Sequence, residues 1–257
     1  MLAGIFHEGS GIGDQLFRYI TVRTLAEEKG FEHGMAYPQN FKAASFMRLP
    51  PFKEINPDDY EKWNETEIRI DGVDRRSFDP ESQFVADHTV IDGSFESFQY
   101  WGHNLKNINE WLQVEPLEVP DDTCVIGFRG GEYAAVPELF LPYEYYEEAV
   151  WQVEPKKYQV HTDDPSLAKQ MFSAPQFEIV ANQQISHSQH SNMGFNWRSA
   201  RFAKYAIIPN SAFFILPRLL KHHEDPEAVT IAPRYWAGRN VKQWRRPSCF
   251  YRPFTYI

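Results

Sequence analysis

The chain has 257 residues, 42% of them hydrophobic, and carries 26 basic against 35 acidic side chains for a formal net charge of −9. That is enough apolar material for one large or two smaller α/β domains, and the acidic balance argues against a nucleic-acid partner over most of the surface. No apolar run approaches the ~20 residues that cross a bilayer, and Cys124 and Cys249 stand far apart outside any ligand spacing, so both are expected as buried small hydrophobes.

Residues 2–6 read as a buried strand, which leaves no room for a signal peptide and predicts a cytoplasmic protein. Gly9, Gly11 and Gly13 form a loop, 14–29 has helix-forming composition, and Gly30 stops it. Strand, glycine loop and helix make a nucleotide-type unit. The G-x-G-x-G spacing departs from the dinucleotide fingerprint G-x-G-x-x-G, which disfavours an oxidoreductase; a tight turn also requires glycines on backbone grounds alone. A strand near 35–37 follows. Residues 38–80, rich in Pro, Asp and aromatics, read as loops with a strand at 67–70, then come a strand at 90–93 and a helix over roughly 96–112. Periodicity breaks at 115–120, so the domains are expected at 1–117 and 118–236.

The second half alternates regularly. Strands are expected at 123–129, 158–162, 177–181, 205–208 and 229–232, and helices at 142–153, 165–172, 195–204 and 211–222. Short strands separated by helices predict a parallel, doubly wound sheet, whose ligands lie at the carboxyl ends of the strands. Arg129, Asp163, Asp164, Asn210 and Ser211 fall there. Residues 237–257 are basic and aromatic, with Arg239, Lys242, Arg245 and Arg246 among Trp244, Phe250 and Tyr251, and are expected to pack back on the acidic body.

At the end of the 123–129 strand, Arg129 is followed by Gly130 and Gly131. A guanidinium fork beside a turn without Cβ atoms suits a phosphate, although arginines at strand ends more often make a structural ion pair. Asp164 precedes Pro165 as a helix N-cap would, which leaves Asp163 free to accept hydrogen bonds from a base edge or a ribose. Ser211 reads as a helix cap or as a phosphate ligand, and Asp14 as a helix cap or a general base. His187, His190, His222 and His223 have no carboxylate or cysteine in ligand spacing, so no metal is expected.

Several segments follow one another in the order of a known family. Gly11-Ile12-Gly13-Asp14-Gln15-Leu16-Phe17-Arg18-Tyr19, with Arg23 and Leu25-Ala26, is similar to G-x-G-N-Q-x-F-x-Y…R-x-L-A, and the stretch from Asp92 to Trp101 to G-Y-F-Q-S-x-x-Y-F. Gly127 to Tyr133 is similar to H-x-R-R-G-D-Y, Leu141 to Tyr146 to L-P-x-x-Y-Y, and His161-Thr162-Asp163-Asp164 to F-S-D-D. Ile207 to Phe213 is similar to I-I-A-N-S-S-F, and Ile231 to Trp236 to I-A-P-K-x-W. Together these resemble glycosyltransferase family 11, the α-1,2-fucosyltransferases.

The resemblance implies an α/β, GT-B-like fold of two Rossmann-like domains facing across a cleft, the second binding nucleotide and the first presenting the acceptor. It implies an inverting, metal-independent and cofactor-free transfer of a sugar, fucose, from a GDP-sugar to a glycan hydroxyl. Carried over residue by residue, it puts the nucleotide-sugar contacts on Gly11, Gly13, Gln15, Arg129, Gly131, Asp163, Asp164, Asn210, Ser211 and Phe213, and the catalytic roles on Arg129, Asp14 and Glu132. The family's histidine is here Gly127, its second arginine Gly130, its aspartate Glu132 and its asparagine Asp14. Those departures support an alternative: a nucleotide-sugar-binding protein of the same fold with impaired catalysis.

Overall fold

The computed structural model describes residues 1–66, 68–70, 73–75, 78–180, 190–237 and 251–257, with the backbone alone at 68–70, 73–75 and 190–192. Two compact units divide the chain: Met1–Gln113, and a second that begins at Val114 and takes in Tyr251–Ile257.

The first unit opens with β1 (Leu2–Ile5), α1 (Ile12–Lys29) and β2 (His33–Ala36). Helix α1 buries Leu16, Phe17, Ile20 and Leu25 and stops where expected: Gly30 adopts φ 69° and returns its N–H to the carbonyls of Ala26 and Glu27. Then come β3 (Lys53–Glu54), β4 (Glu61–Asn64), a hairpin of β5 (Ile68–Ile70) and β6 (Val73–Arg75), β7 (Thr89–Asp92) and α2 (Leu105–Trp111). The sheet runs β3-β2-β1-β7-β4, every pair parallel.

Two expectations change here. Residues 38–80 were expected to hold one strand, yet β4 lies at the sheet edge and pairs with β7 from Glu61↔Thr89 to Asn64↔Asp92. Its Glu-Lys-Trp-Asn sequence has no apolar alternation, because an edge strand is held by backbone bonding on one side. The helix expected over 96–112 is shorter: two 3₁₀ turns precede α2, and Trp101, at φ −143°, interrupts the helical backbone between them.

In the second unit the expected alternation is present. Strands β8 (Thr123–Phe128), β9 (Lys157–Thr162), β10 (Phe177–Val180), β11 (Tyr205–Ile207) and β12 (Val229–Ala232) alternate with α3 (Tyr143–Trp151), α4 (Pro165–Met171), α5 (His190–Phe202) and α6 (Ala212–Glu224). A sixth strand, β13 (Thr255–Tyr256), adds to β12 in parallel. Two residues are too short to register as a strand in sequence; Phe254, buried against His222, anchors them. The order β10-β9-β8-β11-β12-β13 is the 3-2-1-4-5-6 order of a doubly wound nucleotide-binding sheet. Cys124 is fully buried in its core, and burial pushes the thiol up to about 12. Cys249 and the basic-aromatic run at 239–250 lie outside the described residues.

Arg218 is an unexpected core residue. Fully buried in α6, it donates to the carbonyls of Ala200 (2.9 Å), Ala203 (2.6 Å), Lys204 (3.3 Å) and Val229 (3.0 Å) and to Thr230 Oγ1 (2.8 Å). Desolvation lowers its pKa to about 9. This guanidinium joins the end of α5, the approach to β11 and strand β12. Replacing it with Met orphans buried carbonyls, so Arg218→Met should destabilise the protein by ~3–5 kcal/mol; urea unfolding of the two proteins measures the difference.

Candidate active site

Where strand order reverses in an open parallel sheet, the loops on either side diverge and leave a crevice at the carboxyl ends. In the second unit that point lies between β8 and β11. The loop after β8 carries Arg129, Gly130 and Gly131, and the loop after β11 carries Asn210 and Ser211.

Arg129 is held by carboxylates on two sides. Its Nη2 donates to Glu132 Oε1 at 3.0 Å, and its Nε lies 3.3 Å from Asp163 Oδ2 without an aligned hydrogen bond. The guanidinium also stacks 4.8 Å from the centre of the Tyr133 ring. Asp163, at the end of β9, accepts the N–H groups of Gly130 (2.9 Å) and Gly131 (3.2 Å) through Oδ1. Two successive amides and a guanidinium thus converge on one carboxylate, which is the geometry of an anion cradle.

Side chains have no room at Gly127 and Gly130, where the motif that the segment resembles has histidine and arginine. A Cβ on Gly127 would stand 2.6 Å from Pro209 Cδ and 2.8 Å from the tip of Phe214. One on Gly130 would stand 2.7 Å from Asp164 Cβ. Pro209, where the motif it resembles has alanine, and Phe214 occupy the space beside Gly127.

Other expected residues find their places. Asp164 is the N-cap of α4, accepting the N–H of Leu167 at 3.0 Å, with Pro165 following. Ser211 precedes α6 in N-cap position but makes no side-chain cap bond. Asn210 is buried and donates to Leu139 O (2.8 Å) and Trp236 O (2.6 Å). Phe213 packs edge-on against Trp197 and Phe214.

Four readings need correction. Asp163 is not free, because Gly130, Gly131 and Arg129 already engage it. Gln15 is fully buried, with its amide bonded to His7 O and Asn40 O and its carbonyl to Lys42 N, which ties the glycine loop to the loop after β2 and leaves no polar atom for a ligand. Asp14 does not cap α1: Gly11 is the N-cap, Gly13 is buried as the second helical residue, and Asp14 stands half-buried in the first turn. Glu132 is exposed and paired to Arg129, which occupies the carboxylate proposed as a base.

In the first unit the strand order reverses between β1 and β7. His7, just after β1, and Asp92, the last residue of β7, meet there, with His7 Nε2 2.9 Å from both carboxylate oxygens. His7 stands beside the glycine loop, but nothing in the sequence around it points to Asp92, 85 residues away.

No protein-family model and no curated protein matches the chain. Solved structures do. The crystal structure of fucosyltransferase NodZ from Bradyrhizobium superposes with a TM-score of 0.51 at 13% identity, covering 85% of this chain and 93% of that one. NodZ α-1,6-fucosyltransferase co-crystallised with GDP gives 0.53 at 13% identity, covering 85% and 92%. The chain has the two-domain α/β GT-B fold. Among the described residues, no helix is long and apolar enough to cross a membrane, and no three His, Cys, Asp or Glu side chains group as a metal site would need.

Proposed function

We propose that the protein is an inverting, metal-independent glycosyltransferase of the family 11 type, which moves a sugar, fucose by resemblance, from a GDP-sugar to a glycan hydroxyl. The observation that carries this is the cradle of Arg129, Gly130 N–H and Gly131 N–H beside the switch point of a 3-2-1-4-5-6 sheet. The similar fold of a fucosyltransferase co-crystallised with GDP supports the choice of nucleotide.

Departure of a nucleoside diphosphate leaves negative charge on phosphate oxygens, and preorganised donors stabilise that charge as it develops. In this reading the diphosphate takes the place of the Asp163 carboxylate on the two amides and of Glu132 on the guanidinium. Ser211, its hydroxyl not engaged as a cap, and the first amides of α6 face the same anion. Asp164 and Asn210 shape the two loops through their backbone bonds. Gly11 and Gly13 belong to the first unit's glycine loop, where the acceptor side is proposed.

The alternative, a nucleotide-sugar-binding protein without transfer, is favoured by one observation: Pro209, Phe214 and Asp164 close off the positions of the family's histidine and second arginine. Turnover of GDP-fucose, by hydrolysis or transfer, separates the two readings.

Arg129→Ala should weaken GDP binding by ~10–100-fold, the loss of a charged hydrogen-bonding group worth ~1.5–3 kcal/mol. Arg129→Lys should recover part of it, since a point charge lacks the bidentate fork. Asp163→Asn should bind GDP more tightly, because the competing charge leaves while an amide oxygen still orders the turn. Isothermal calorimetry on the three variants measures all of this; weaker binding by Asp163→Asn would put that carboxylate on the nucleotide's ribose or base.

Turnover should survive chelation, since side chains and amides hold the diphosphate. Loss of activity in EDTA with recovery in Mn²⁺ would contradict metal independence.

A further inference from the structure

Within the second unit, residues 251–257 reach the rim of the crevice through a run of hydrogen bonds. Strand β13 is the last strand of its sheet and two residues long, and Ile257 just beyond it donates its N–H to Ala232 O at 3.1 Å. The Ile257 carbonyl accepts the N–H of Arg234 at 2.7 Å, and Arg234 Nη2 donates to Tyr256 O at 3.4 Å. These bonds fix the loop that leaves β12. Two residues further along that loop, the Trp236 carbonyl accepts a 2.6 Å bond from Asn210 Nδ2.

Asn210 is the junction. Buried in the loop after β11, its amide nitrogen bonds to carbonyls of two other loops, Trp236 after β12 and Leu139 (2.8 Å) after β8. Leu139 in turn donates its N–H to Val136 O at 2.9 Å, Val136 to Tyr133 O at 2.9 Å, and Ala134 to Gly130 O at 2.7 Å, so the bonding runs on to a glycine whose amide forms the anion cradle. Both lips of the crevice are tied to one side chain, and one of that side chain's two partners is held by the end of the chain. What holds β13 itself is small. Phe254 is its buried anchor, with its ring centre 5.2 Å from that of His222 in α6, and Tyr256 Oη accepts the N–H of Tyr251 at 2.9 Å. Arg252, Pro253 and Thr255 are exposed.

We propose that docking of β13 controls the affinity of the cradle for the donor's diphosphate, with Asn210 as the positioning residue between them. The inference rests on the reading of that cradle as the donor site. An edge strand with a single apolar anchor opens at lower free energy than the strands inside a sheet, so docked and released β13 are two states of a folded unit. With β13 docked, Trp236 O stays in place for Asn210, and Asn210 holds the β8 and β11 loops at one spacing. Gly130 N–H, Gly131 N–H and Arg129 are then preorganised for an anion. Release of β13 frees the loop after β12, Asn210 loses one of its two partners, and ordering the same donors draws on the binding free energy. The linkage is reciprocal: a diphosphate that binds the docked state more tightly holds β13 down by the same factor.

The test compares the full chain with a chain ending at Thr255, which lacks the Ile257 bonds, with Phe254→Ala and with Asn210→Ala, each below its own melting transition. Calorimetry measures the affinity of two probes, GDP and inorganic pyrophosphate. Shortening the chain and Phe254→Ala should each weaken both probes by ~10-fold, a usual scale of coupling between two sites. In the Asn210→Ala background the shortened terminus should lower affinity no further, because the link is already cut; a strand that acts only on stability gives independent losses. Bound probe should slow amide exchange at Arg234 and Ile257 by the same ~10-fold. Affinity of the shortened chain within about twofold of the full chain overturns the inference, as do additive losses in the double variant or exchange at those two amides that does not respond to ligand. If neither the shortened chain nor Phe254→Ala folds, β13 belongs to the folding core and the inference falls. Binding of pyrophosphate but not GDP by the full chain is a different result: it removes the GDP-sugar reading, while the coupling is still measured on pyrophosphate. Binding of neither removes the cradle and both readings with it.

Discussion

Parallel pairing is the constraint from which the rest of this structure follows. Each parallel strand must be reached by a crossover, so helices or long loops return the chain to the same edge and every strand points its carboxyl end the same way. Winding first to one side and then to the other opens a crevice at one place in each sheet. Both units put charged side chains there: Arg129 and Asp163 flank the point between β8 and β11, and His7, Asp92 and Arg18 the point between β1 and β7. The fold supplies the crevice; the residues at its rim determine the chemistry.

The two crevices differ in charge. In the second unit, consecutive amides and a guanidinium gather around Asp163, so the donors outnumber the acceptor and an anion of higher charge fits. In the first unit Arg18 faces Asp92 and Lys62 faces Asp58. The Asp163 carboxylate, seated on these two amides, also keeps Arg129 oriented.

Buried polar groups hold these rims in place. Gln15 joins the β1 loop to residues 40 and 42, Asn210 joins the β11 loop to Leu139 and Trp236, and Arg218 ties α6 to the elements on either side of β11. A polar side chain committed to backbone carbonyls and amides cannot also read a ligand, which is why Gln15 leaves the list of contacts that family resemblance suggested. Motif similarity marks positions that matter; it does not separate residues that touch substrate from residues that shape the loop.

Much of the architecture was legible in the chain itself. Apolar runs bounded by helix signals marked the alternating second half, Gly30 marked the end of α1, and Asp164 with Pro165 marked the start of α4, because periodicity and capping act within a few residues of one another. Strand ends rich in Arg, Gly and Asp pointed to the second unit's crevice for the same local reason. The edge strand β4, the two-residue β13, the burial of Arg218, the capture of Asp163 by Gly130 and Gly131, and the meeting of His7 with Asp92 were not legible. Each depends on groups brought together from distant segments, and a hydrogen bond between residues 85 apart leaves no trace in the pattern around either one. Sequence alone determined the strongly patterned elements and their order; tertiary structure decided the edge strands and which polar groups face one another, because that choice is made by strand order and not by the neighbours along the chain.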